Sequence, residues 1–397
     1  MGASRIVPIS EVYEINPSFH RDGIAEDTSV SFIPMAAINE TSGMIAVMEE
    51  RPLQDVVKNF TPFLEGDVLF AKITPCMENG KVVIARDLKN GIGFGSTEFH
   101  VFRPKGDVIS EWLFYFMRRV SFRKAAEQNM TGSAGQKRVP RQFFDRALIP
   151  VPPKQIQNKV VTILSKVEAT LEKRRQAIRL LDEFLKSTFL EMFGDPIRNS
   201  KKWQTLKVSE FCETTSGGTP DRTRPEYFDG GIPWIKSGEL KNGYVLSTEE
   251  TLSEIGFRNS SAKRLPTDTI LIAMYGATVG EVGLLKINGA TTNQAVAAVI
   301  PDPKKADFLY LFHFFQKVAN YLIAKRVGGG QPNISQKIIR ELKVSLPPLA
   351  MQKEFSSIVK HIEDMRQKMK SSETGLQNLF NALMQKAFKG DAKFHEA

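Results

Sequence analysis

Two carboxylates and a lysine near the middle of the chain have the spacing of a metal-dependent phosphodiester hydrolase. In Pro220-Asp221 followed by Glu239-Leu240-Lys241, Asp221 and Glu239 could hold magnesium while Lys241 steadies the attacking water. Asp221, however, sits in a turn beside Arg222 and Arg224, and the first half of the chain offers Ala37-Ile38-Asn39 at the matching place. Methyl transfer to adenine would need a glycine-rich loop opening a helix and an Asn/Asp-Pro-Pro-aromatic tetrapeptide. Asn16-Pro17-Ser18-Phe19 lacks the second proline, and a strand rather than a helix follows Gly91-Ile92-Gly93-Phe94-Gly95. The expectation is a chain without catalytic, cofactor-binding or metal-binding residues, with a stand-alone magnesium-dependent nuclease as the rival.

Residues suited to touching nucleic acid are better placed. Thr131-Gly132-Ser133-Ala134-Gly135-Gln136-Lys137-Arg138 and Gly328-Gly329-Gly330-Gln331-Pro332-Asn333-Ile334-Ser335 each lie between a helical pattern and a final strand. Glycine lets a backbone come close to another molecule, and Gln, Asn, Lys and Arg are the side chains that read base edges and phosphates. The candidates are Lys72, Thr74, Gln136, Lys137 and Arg138 in the first half, and Lys236, Ser237, Tyr275, Asn293, Gln331 and Asn333 in the second. An ordinary connection would explain either loop alone; recurrence in both halves favours a binding surface. Tyr275 could equally be a core aromatic, and Asn293-Gln294 could cap a turn.

The elements that carry these residues occur twice, because the chain superimposes on itself when shifted by about 195 to 202 residues, a domain-sized period. Ile9-Ser10-Glu11-Val12 recurs as Val208-Ser209-Glu210-Phe211, and Asp67-Val68-Leu69-Phe70-Ala71 as Thr269-Ile270-Leu271-Ile272-Ala273. Trp112-Leu113-Phe114-Tyr115 is echoed by Phe308-Leu309-Tyr310-Leu311. Val82-Val83-Ile84-Ala85, Phe99-His100-Val101-Phe102 and Ala295 to Ile300 are strands by residue type, and helices are expected over about residues 110–128 and 306–325. Pro152-Pro153 and Pro347-Pro348 each close a β-rich stretch and open a long helical pattern.

Both long patterns are heptads. The first seam takes Val160, Val167, Leu181 and Thr188 with Arg174 among them at one position, and Leu164, Leu171, Ile178, Leu185 and Met192 at the other; the second takes Phe355, Ile362, Met369, Leu376 and Leu383 at one, and Val359, Arg366, Glu373, Phe380 and Ala387 at the other. Gly194 and Gly390 are the expected helix stops. About 40 residues at about 1.5 Å each make a rod of about 60 Å, whose narrow apolar stripe needs another helix. In an antiparallel pair Arg174 would lie near Glu373 and could fix the register, unless both charges reach solvent.

With 397 residues, 42% hydrophobic and 25% charged, the composition fits two globular cores, and no apolar run is long enough to span a bilayer. Cys76 and Cys212 are too few for a disulfide framework and too isolated for zinc, so a cytoplasmic protein without structural metal is expected. A formal charge of +10 favours an acidic partner such as nucleic acid, a bias shared with many basic proteins that bind none.

Ser216-Gly217-Gly218-Thr219-Pro220 and the run Ile232-Pro233-Trp234-Ile235-Lys236-Ser237-Gly238-Glu239-Leu240 are the most distinctive strings. With the duplicated plan of domain, Pro-Pro and long helix, the chain resembles the specificity subunits of type I restriction-modification systems from its first strand to Gly390. The first half departs from the pattern, with Phe32-Ile33-Pro34-Met35-Ala36-Ala37-Ile38 in place of the Trp234 run. The resemblance implies an α+β chain: target recognition domains at 1–152 and 195–348, conserved helical spacers at 153–194 and 349–391, and a tail at 392–397. The spacers would pair as an antiparallel coiled coil with pseudo-twofold symmetry. It further implies a noncatalytic subunit that binds a split double-stranded DNA target and scaffolds two methyltransferase (M) subunits and, where the system restricts, two restriction (R) subunits. S-adenosylmethionine, ATP and magnesium would then belong to those partners. A coiled-coil scaffold that binds no DNA is the remaining alternative.

Overall fold

A computed structural model describes residues 5–133, 135–324 and 333–388. Its contacts divide the chain into two units, Met1–Gln176 with Ser371–Ala397, and Ala177–Lys370, so each unit combines one β-rich domain with a segment of both long helices.

In the first unit a four-stranded antiparallel sheet runs in the order Tyr13–Ile15, Phe99–Pro104, Val68–Ala71, Val82–Ile84. A second sheet runs Glu49–Pro52, Ser29–Ile33, Ile92–Gly95, Thr61–Leu64, with its middle pair parallel. Alternation along Val68–Ala71 fixes what each face covers. Val68 and Phe70 enter the core with Trp112, Phe116 and Phe144, while Leu69 enters a smaller core with Ile33, Phe63 and Phe99. The second unit repeats the device, with Ile270 and Ile272 facing Tyr310 and Phe315 while Leu271 and Ala273 face Ile235 and Val296. Its main sheet has five strands, Cys212–Ser216, Val296–Pro301, Ile270–Ala273, Val282–Leu285 and Tyr244–Val245, and its smaller sheet pairs Phe228–Ile235 in parallel with Thr291–Thr292.

The helix expected over 110–128 is two helices, Ser110–Arg118 and Val120–Gln128, because Arg119 is extended (ψ 136°). The break turns Phe116 and Phe122 toward one core, with ring centroids 5.2 Å apart. The corresponding helix in the second unit, Phe308–Ala324, is continuous.

The long helices are Lys154–Phe193 and Leu349–Ala387. Gly194, at φ +76°, ends the first; Gly390 lies outside the described residues. In both units the helix segments run antiparallel. In the first, Val160 and Leu164 share a core with Phe380, Leu383 and Met384, and Arg175 meets Glu373. In the second, Leu185 and Phe189 share one with Phe355 and Val359, and Asp182 meets Arg366. The partner of Glu373 is therefore Arg175, with Nε to Oε1 at 2.8 Å, and not Arg174, whose Nε is buried without a hydrogen-bond partner.

Each long helix is pinned to its domain by a buried glutamine in its first turn. Gln157 accepts from Ile109 N (3.2 Å) and donates to the carbonyls of Asp107 (3.0 Å) and Pro152 (2.8 Å). Gln352 accepts from Asp307 N (2.9 Å) and donates to Pro347 O (2.8 Å). The far ends are held by aromatic hooks. Phe388 packs at 4.5 Å from Trp112, and Phe193 at 4.8 Å from Tyr310. Trp112 Nε1 donates to Pro150 O and the Tyr310 hydroxyl to Ser345 O, so each anchor is itself bonded to the strand that precedes its Pro-Pro pair.

Candidate nucleic-acid interface

The first unit gathers its five candidate residues around one loop return, although the Thr74 hydroxyl is buried there and is not presented to a ligand. The amide of Thr74 donates to Lys137 O (3.0 Å) and that of Val139 to Lys72 O (2.8 Å), so the loop ending at Arg138 returns across the end of strand Val68–Ala71. Gln136 and Lys137 are exposed and Lys72 and Thr74 half-buried. Arg138 grips Glu98 through Nε (2.9 Å) and Nη2 (2.8 Å), and its Nη1 donates to Gln136 O (3.0 Å). The guanidinium beside Glu98 holds that carboxyl below its ordinary range.

Beneath the loop lies His100, whose Nε2 donates to Val139 O (2.9 Å) while Nδ1 accepts from Asn16 Nδ2 (3.2 Å). Burial pushes this imidazole down to about 4, so its neutral form is the structural one. Asn16 is held at φ +54° and its Oδ1 accepts from Val101 N (3.0 Å). The residue that opens Asn16-Pro17-Ser18-Phe19 is thus a structural bracket for the loop's foundation.

The second unit makes the same frame. Ile334 N donates to Met274 O (2.6 Å) as Val139 N does to Lys72 O, and Met274 N donates to Ala295 O (2.8 Å) as Lys72 N does to Glu98 O (2.9 Å). Asn333 is exposed beside this return, and Gln331 lies outside the described residues. Asn293 N donates to Ile235 O (2.9 Å), which ties its turn to the strand leading into Lys236 and Ser237. Asn293 also caps that turn, accepting from Ala295 N (3.2 Å). Tyr275 is half-buried at the edge of the main core, and burial raises its hydroxyl pKa. Lys236 carries no free charge to this surface, because its Nζ is bonded to Glu249 (2.9 Å) and Glu250 (2.8 Å). Glu250 also takes Arg222, whose guanidinium stacks 4.8 Å from the Trp234 ring.

The glycine-rich strings are packing devices. A Cβ on Gly217 would stand 1.9 Å from Thr292 O, and one on Gly218 2.3 Å from Ser261 Oγ. A Cβ on Gly93 would meet the Phe63 ring at 2.1 Å, and one on Gly95 would meet Ile33 O at 2.4 Å. The two carboxylates of the hydrolase pattern are engaged locally. Asp221 accepts from Thr223 N and Oγ1, and Glu239 accepts from Lys236 N and Glu249 N.

The family described as type I restriction modification DNA specificity domain matches residues 3–180 and again 200–374. The chain belongs to that family. The EcoAI specificity subunit of Escherichia coli is 40% identical over 176 residues, covering 44% of this chain and 30% of that protein. The EcoEI specificity subunit of Escherichia coli is 38% identical over 162 residues, covering 41% and 27%. The chain thus spans less than a third of the length of these two relatives. A putative MjaX specificity subunit of Methanocaldococcus jannaschii is 20% identical over 360 residues, covering 86% of this chain and 82% of that one. The fold is shared by a chain from a structure of a type I R-M system, with TM-score 0.60, 21% identity and coverage of 98% and 99%. It is also shared by the S subunit of M. genitalium, with TM-score 0.56, 14% identity and coverage of 97% and 96%.

The two matched segments of the specificity-domain family each contain one loop frame. Along the seam of this family member, Leu164, Leu171, Leu185, Phe355, Val359 and Ile362 are buried, and Val160, Val167, Ile178, Leu181, Met369, Leu376, Phe380 and Leu383 are half-buried. Sequence reasoning missed Gln157, Gln352, Phe193, Phe388, Glu98 and His100. For both Gln157/Gln352 and Phe193/Phe388 the available signal was recurrence at a spacing of 195.

Proposed function

We propose that the chain is the noncatalytic DNA-recognition subunit of a type I restriction-modification assembly. Each unit reads one short word of a split duplex target, and the paired helices carry the partner subunits. One observation carries the reading: both units make the same backbone frame at the loop return, yet place different side chains on it, Arg138 with Glu98 in one and Asn333 with Ala295 in the other. Equivalent frames with different side chains suit two readers of different words. Lysines such as Lys137 and Lys72 supply phosphate contacts, and a few side chains per unit supply base discrimination.

In this reading two methyltransferase subunits bring S-adenosylmethionine and modify adenine in each half of the target. Translocase-nuclease subunits, where the system restricts, bring the ATP and magnesium chemistry. The capping bonds of Asp221 and Glu239 favour this assignment over a nuclease within the chain.

The test is a genome-wide map of methylated adenines with and without the gene. Loss of methylation at a single motif made of two words and an unread gap supports the reading. An unchanged map in a strain shown to express the chain contradicts it. Duplex binding that falls steeply with salt separates DNA recognition from a scaffold that binds protein alone.

A further inference from the structure

We infer that Arg138 reads a guanine in the word recognised by the first unit, and that Glu98 is the positioning residue that aims it. The inference rests on the DNA-recognition role proposed above. A guanidinium has five N–H groups: one on Nε and two on each terminal nitrogen. Nε and one N–H of Nη2 are taken by Glu98, and one N–H of Nη1 by Gln136 O. One N–H therefore remains on each terminal nitrogen, and two terminal N–H groups are what an arginine offers to O6 and N7 of guanine in the major groove. The Arg138 side chain is 41% exposed, so it is open to a ligand.

The ion pair is more than a fastening for the loop, because the second unit makes the same backbone bonds with Asn333 and Ala295, two uncharged residues, at the equivalent positions. The return is fixed by Val139 N to Lys72 O in the first unit and by Ile334 N to Met274 O in the second. The neighbouring strand is fixed by Lys72 N to Glu98 O and by Met274 N to Ala295 O. Strand register agrees, with Ala71 opposite Phe99 and Ala273 opposite Val296. Arg138 thus corresponds to Asn333 and Glu98 to Ala295. The carboxylate is present where the arginine is and absent where it is not, as expected if its task is to orient that guanidinium. Fixing a long side chain before binding lowers the ordering cost and turns a mobile charge into a directional reader.

The experiment measures binding of the full chain in its native assembly, at fixed salt, to duplexes in which each base pair of both words is replaced in turn. The expected profile contains one G·C pair in the first unit's word whose replacement weakens binding by about 5- to 150-fold. Arg138→Ala flattens that position alone, and Arg138→Lys does not restore it. Glu98→Gln, which keeps shape but loses charge, narrows the preference at the same pair. The unchanged profile of the second word reports that the variants fold. Equal weakening of all duplexes by Arg138→Ala would make Arg138 a phosphate contact and overturn the inference, as would an unaltered profile. A wild-type profile without any base preference would sink the DNA-recognition reading itself, and the inference with it.

Discussion

Replacing Gln157 by leucine tests whether a polar pin, rather than the apolar seam alone, holds the first long helix to its domain. Gln157 is fully buried and makes three hydrogen bonds, to Ile109 N and to the carbonyls of Asp107 and Pro152. Leucine keeps most of the volume but leaves one amide and two carbonyls without these partners. At about 1 kcal/mol per bond the cost is about 3 kcal/mol. Because about 1.4 kcal/mol is tenfold, local opening becomes roughly 150-fold more frequent, and amide exchange around residues 107–118 accelerates accordingly. Gln352→Leu removes two bonds, to Asp307 N and Pro347 O, and costs about 2 kcal/mol, or roughly 30-fold around residues 307–312. Hydrogen-exchange mass spectrometry on the full chain reads both. Each variant should act within its own unit, with Gln157→Leu the larger. Acceleration below about threefold in both would refute the pinning argument, since buried polar groups left unpaired carry a definite cost.

Phe193→Ala and Phe388→Ala each remove a buried ring and should destabilise their own units by about 3 to 5 kcal/mol in urea unfolding; a loss under about 1 kcal/mol would show that the aromatic hooks are not anchors. Gly217→Ala should destabilise the second unit, since its Cβ would stand 1.9 Å from Thr292 O, and unaltered stability in urea unfolding would contradict the packing role of that glycine. Burial pushes His100 down to about 4 from 6.5, so the unfolded chain binds the proton first: stability is intact above about pH 6.5, falls as pH drops from there to about 4, and levels below. The contribution is on the order of 3 kcal/mol, and His100→Gln should remove that part of the acid sensitivity; an unchanged slope in pH-dependent urea unfolding would contradict it. Lys137→Ala should weaken duplex binding about equally for all sequences and reduce the salt slope by about 1, and a change confined to one base pair would make Lys137 a base reader instead.

The parts of the fold legible in the sequence are those set by periodicity. Val68–Ala71 and Ile270–Ala273 read as strands because both faces are apolar, and the long helices read as heptads opened by paired prolines. Arg119 was not legible as a helix break. Nothing in Ser110 to Gln128 is a breaker, and the kink is set by the placement of Phe116 and Phe122 in one core. Gln157 and Gln352 were not legible as pins, because Asp107 O and Asp307 N, which they bond, lie 50 and 45 residues away along the chain. The glycines of Ser216-Gly217-Gly218-Thr219-Pro220 stood out as a distinctive string, but that they make room for the chain's own Thr292 and Ser261 was not legible, since both neighbours lie more than 40 residues away. In the candidate interface, residue type found the loop but not the charge balance. Lys236 is neutralised by Glu249 and Glu250 from the opposing strand region, and Arg138 is held by Glu98 from 40 residues away, pairings that only strand register brings together.

The most direct measurement is selection of bound sequences from a pool of randomised duplexes by the full chain in its native assembly. The expected result is enrichment of two short words separated by a constant number of unread base pairs, with substitution of Arg138 and of Asn333 each altering a different word. Enrichment of one uninterrupted word, or no enrichment at all, would contradict it.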